Sequence, residues 1–144
     1  MTKLANSAYA YNETRQTFVA TDLRVADTHW TRLKGLLGST RDMFTAGAGL
    51  WIVPCHGVHT IGMMFPIDVL YLDENLVVVH LEQNVKPWRL TPVLLEATTV
   101  VELPANTVVS TGTCVGDRLE IKATRKRADV TEQARQSGRA QGAG

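Results

Sequence analysis

The run Pro54-Cys55-His56-Gly57-Val58-His59-Thr60-Ile61-Gly62-Met63-Met64-Phe65-Pro66 concentrates this chain's chemically versatile side chains. It holds two of the four histidines, one of the two cysteines and two of the four methionines. Thiolate, imidazole and thioether are soft ligands, suited to Cu(I) and less well to Zn²⁺. A metal site would draw on Cys55, His56, His59 and Met63. Were the segment extended, Cys55, His59 and Met63 would share one face. Ligands four residues apart on a strand are roughly 13 Å apart, so one ion is shared only if the chain bends. No CxxC or HExxH accompanies them. A thiol reading uses the same residues: Cys55 as nucleophile, His56 or His59 as base, Asp68 orienting the imidazole. That would be a Cys- or Asp-dependent hydrolase, yet nothing in the sequence marks an oxyanion hole. The plain alternative is a buried cysteine, core methionines and a hydrogen-bonded histidine.

Asp68 shares its parity with Leu70 and Leu72, while Ile67, Val69 and Tyr71 point the other way. Both faces of that strand are apolar, so Asp68 is placed for burial. A buried carboxylate must be paired, hydrogen-bonded or protonated. His59, Arg89 or a backbone amide could be its partner. Its role is then a structural hydrogen-bond hub, or a general base or ligand-orienting group. Glu102, between Val101 and Leu103, poses the same question. Trp88 and Arg89 follow in a loop, a pairing common among interface anchors. Trp88 could equally cap one end of the core. His80 reads as a core-edge side chain and His29 as surface.

These residues need a scaffold, and the pattern around them is mostly β. Thr17 to Val25 alternates as a first strand. Asp27 to His29 offers helix N-cap residues, and Trp30, Leu33, Leu36 and Leu37 recur at helical spacing up to Gly38. Leu50 to Val53 is a short strand closed by Pro54. Ile67 to Asp73 and Leu76 to Leu81 form a hairpin around Asp73-Glu74-Asn75, where Asn tolerates positive φ. Thr98 to Leu103 and Arg118 to Ile121 complete the strands. Closely spaced strands with one short helix predict a mainly β, α+β single domain, a small compact barrel or sandwich. Its expected limits are residues 16–122. Residues 1–15 read as a flexible lead-in and 123–144 as a disordered basic tail.

Composition narrows the classes. The 144 residues fit one domain and carry a formal net charge of +1. Such balance argues against a dedicated nucleic-acid-binding core. From Lys122 onward six basic residues face only Asp129 and Glu132, leaving weak contact with an acidic partner through the tail. No run approaches the roughly 20 apolar residues of a membrane span. The opening MTKLANSAYAYNETRQ lacks the apolar stretch of a secretory signal. A cytoplasmic location is expected, with both thiols reduced.

The order of these motifs resembles a family widespread in prokaryotes, catalogued as domain of unknown function, family 192. The resemblance runs from Arg32 to Ile121. It rests on Arg32-Leu33-Lys34-Gly35-Leu36-Leu37-Gly38, on His59 to Asp73 with its Pro66-Ile67-Asp68 step, and on Pro87-Trp88-Arg89. Glu102-Leu103-Pro104-Ala105 and Gly116-Asp117 follow. Asn75 and Asn106 stand where the family usually has Gly; Asn also reaches the left-handed region. The resemblance implies a small β-rich domain and no activity. The expected function is a non-catalytic accessory domain binding a small ligand or a protein through His59, Asp68, Trp88 and Arg89. No cofactor is expected, a soft transition metal such as copper or zinc being the alternative.

Overall fold

The computed structural model describes residues 7–26 and 44–124. Seven strands form one sheet: β1 (Ser7–Asn12), β2 (Thr17–Ala26), β3 (Ala48–Ile52), β4 (Ile67–Leu72), β5 (Val78–Val85), β6 (Thr99–Pro104) and β7 (Leu119–Ala123). Their order across the sheet is β5-β4-β6-β3-β2-β1-β7. Among the described strands, only β2 and β3 pair in parallel. A short helix, α1 (Thr107–Thr111), links β6 to β7.

The apolar pattern explains the curl of this sheet. Leu23, Leu70, Leu72, Val101, Leu103, Val78 and Leu119 belong to one buried cluster, although β5 and β7 are opposite ends of the strand order. They can meet only if the sheet closes around them as a half-barrel. Its two edges are stitched at one end. Val78 N–H donates to Asp117 O (2.9 Å), Gly116 N–H to Val78 O (2.7 Å) and Leu119 N–H to Leu76 O (2.9 Å). Beyond the stitches the edges are blunted against chance pairing. The β4–β5 ladder has two register shifts, and β7 carries the Glu120–Lys122 ion pair.

The opposite sheet face has its own core. Leu50, Ile52, Ile67, Val69, Tyr71 and Val100 are covered by Phe44, Cys55, Met63, Phe65 and Ala97 from connecting segments. All six β4 residues are buried because both faces of the strand are covered.

The mainly β single domain read from the sequence is the fold observed. The hairpin is also present, but its second strand runs from Val78 to Val85, and positive φ falls on Leu76 (60°). Asn106, by contrast, does take the left-handed conformation (φ 72°) and opens α1. The lead-in assignment fails over Ser7–Asn12. That segment is β1, an inner strand between β2 and β7, with Ala8 and Ala10 buried. Two small residues gave too little apolar signal. The expected helix after Asp27, His29 and the Arg32–Gly38 motif lie outside the described residues, as does the tail from residue 125.

Candidate functional site

Between β3 and β4 the chain makes a long excursion, and between β5 and β6 another. The two run side by side as an irregular ribbon. Cys55 N–H donates to Thr98 O (2.9 Å), Leu94 N–H to His56 O (2.9 Å) and Thr91 N–H to Val58 O (3.0 Å). His59 and Leu90 form an antiparallel bridge. Thr60 N–H donates to Arg89 O and Trp88 N–H to Thr60 O, both at 2.9 Å.

Two threonines lock this ribbon. The buried Thr60 hydroxyl donates to Lys86 O (2.7 Å) and accepts from Arg89 N–H (2.9 Å). The Thr91 hydroxyl donates to Val58 O (2.9 Å) and accepts from Val58 N–H (3.0 Å). Tyr71, rising from β4, donates its phenol proton to Pro92 O (2.8 Å) and ties the ribbon to the sheet. Gly57 permits the close approach, since a Cβ there would lie 2.6 Å from Pro92 O. Gly57→Ala should therefore push the ribbon strands apart at a cost of about 1–3 kcal/mol. Thr60→Val should cost about 2 kcal/mol by stranding backbone groups. Denaturant unfolding of each variant checks both; wild-type midpoints would show that the ribbon is not held this way.

The ribbon carries most of the exposed apolar side chains among the described residues. Ile61 is 43% exposed, Trp88 66%, Val93 73%, Leu90 77%, Leu95 83% and Met64 87%. Trp88 also has positive φ (62°), a costly conformation for a bulky residue. The fold holds Trp88 in that strained backbone without burying its side chain.

The expected cluster of His59, Asp68, Trp88 and Arg89 is only partly assembled. His59, Trp88 and Arg89 lie together on the ribbon and are exposed. Asp68 lies on the inner sheet face, fully buried, and both its oxygens are occupied. Asn84 N–H donates to Oδ1 and Val108 N–H to Oδ2, each at 2.9 Å. The carboxylate thus caps the first turn of α1 from a neighbouring strand, where Asn106 provides no side-chain cap. Its partners are backbone amides, one of the options the sequence allowed.

The soft-ligand residues do not share the single face that an extended segment would give. Cys55 and Met63 are buried and His59 is exposed. The Cys55 thiol donates to Gly57 O (3.1 Å), and His56 Nδ1–H donates to Ala97 O (2.6 Å). Among the described residues no three His, Cys, Asp or Glu side chains gather as metal ligands.

Two further carboxylates are buried. Glu102 on β6 sits between Leu50 of β3 and Val69 of β4, on the outer sheet face. It is 4% exposed. Burial pushes its carboxyl up to about 8. Asp117 follows the opposite course. Burial works to raise it, but Arg15, Asn12 and the Cys114 N–H, all donating to Oδ2, hold it below the ordinary value. This knot fastens the β1–β2 turn to the loop before β7. From the sequence Gly116-Asp117 is only a turn, because its side-chain partners Asn12 and Arg15 lie about a hundred residues away.

The sequence profile of the DUF192 family, described as "Uncharacterized ACR", matches residues 10–121. No curated relative matches the chain. Two solved structures share its fold. One is a protein of unknown function from Novosphingobium aromaticivorans DSM 12444, 17% identical, with a TM-score of 0.66 over 79% of this chain and 83% of that one. The other is a candidate transcription regulator from Sinorhizobium meliloti 1021, 20% identical, with a TM-score of 0.63 over 83% of this chain and 97% of that one.

Proposed function

We propose that this chain, which belongs to the DUF192 family, is a non-catalytic binding domain whose contact surface is the ribbon. The observation that carries this reading is the presentation of six large apolar side chains on a hydrogen-bonded frame. Exposed apolar patches of this kind mark interaction sites. Trp88 and Arg89 are residue types that dominate binding energy at interfaces. Asp68 serves the frame from the opposite sheet face, so the binding cluster consists of Trp88, Arg89, His59 and their apolar neighbours.

The test is comparative capture. Wild type, Trp88→Ser/Leu90→Ser and a Phe18→Ser control, altered at an exposed aromatic of β2, are presented to the same extract. A component held by wild type and the control but lost by the ribbon variant is then titrated against purified protein. The reading expects affinity to fall at least tenfold in the ribbon variant. Equal titration curves for all three proteins would overturn it.

A further inference from the structure

We infer that the ribbon inserts into the interface of a bilayer carrying anionic headgroups. The inference rests on the ribbon being a contact surface and adds what it contacts.

Shape gives the first argument. Five of the six side chains are at least 66% exposed, so they project from the surface. A folded protein partner would need a matching pocket for each. An acyl-chain boundary accommodates projecting side chains without any.

Charge gives the second. The two ribbon segments, residues 53–66 and 86–98, hold Lys86 and Arg89 near Trp88 against a single carboxylate, the exposed Glu96 toward the far end of the second segment. Lys86 and Arg89, both exposed, flank Trp88. Cations beside exposed aliphatic side chains combine apolar insertion with attraction to anionic lipid. Their long stems can lie along the apolar boundary while the charges stay with the headgroups.

Trp88 supplies the third. An indole at the junction of apolar and charged side chains fits the headgroup level, where its ring is apolar and its N–H is wet. No helix among the described residues is long and apolar enough to cross a membrane.

The experiment is sedimentation of the full chain with sucrose-loaded vesicles of phosphatidylcholine, with and without phosphatidylglycerol. Binding should require phosphatidylglycerol and weaken as salt rises. Lys86→Gln/Arg89→Gln should weaken it roughly tenfold or more. Trp88→Ser/Leu90→Ser should weaken it at least tenfold at unchanged net charge. Brominated acyl chains should quench wild-type fluorescence, and the quenching should be smaller in Trp88→Phe. The inference is overturned if vesicles of neither composition bind, or if the Trp88→Ser/Leu90→Ser variant binds as wild type does. Absent vesicle binding alongside a ribbon-dependent protein in the capture experiment would leave the binding domain standing and make its partner a protein. Failure of both would remove the contact surface itself.

Discussion

Replacing Asp68 by alanine is expected to remove about 3–5 kcal/mol of stability, by the usual worth of charge-assisted hydrogen bonds and the cost of stranded buried donors. The carboxylate bridges two elements that no other described side chain joins in this way. One oxygen receives the Asn84 amide of β5, the other the Val108 amide of α1. Asp68 is fully buried, so truncation leaves both donors lining a cavity closed off from bulk water. Against a typical total of about 5–15 kcal/mol, the loss leaves a marginal domain. Asp68→Asn should recover part of it, because one amide oxygen still accepts while the NH₂ group faces a donor. Urea unfolding of both variants gives the numbers. A loss under about 1 kcal/mol for alanine would show the carboxylate dispensable to the frame.

Glu102→Gln should act in the opposite direction, and only at higher pH. The ordinary glutamate value is 4.5, and burial in the folded protein pushes it up to about 8. Below 4.5 the carboxyl is protonated in both states and contributes no pH dependence. Between 4.5 and 8 the unfolded chain releases the proton and the folded chain keeps it, so folding takes up a proton. Stability contributed by this group therefore falls as pH rises and levels off above about 8. The gap is worth at most about 4–5 kcal/mol at about 1.4 kcal/mol per pH unit. Glutamine fits the same space and does not ionise. The variant should match wild type at pH 4 and exceed it by about 2–4 kcal/mol at pH 9. Parallel stability–pH curves would mean that Glu102 is already ionised or solvated in the native state.

Much of the frame was legible from local sequence, and its limits have physical causes. The hairpin from Ile67 was clear because its apolar strands are separated by a turn. The burial of Asp68 was legible for the same reason: apolar residues on both faces leave a carboxylate nowhere else to go. Its partners were not legible, since backbone amides of Asn84 and Val108 have no side-chain signature. Strand β1 was hidden by its alanines and tyrosines, and α1 by Val108 and Val109, which favour strands. The ribbon was half visible. Trp88 and Arg89 stood out by type, but the clamps that present them are Thr60 and Thr91, whose hydroxyls bond to backbone far along the chain. Glycines and prolines in the first segment and Pro87 and Pro92 in the second signal loops, while the pairing between those loops is set by tertiary contacts.

The central claim is that the ribbon's apolar side chains are held outward and contribute little to the fold. Chemical denaturation of Trp88→Ser/Leu90→Ser beside wild type tests it most directly. These side chains are mostly exposed, so stability should stay within about 1 kcal/mol of wild type. A loss of about 3 kcal/mol or more would place Trp88 and Leu90 among the residues that hold the domain together, and would contradict a surface kept free for a partner.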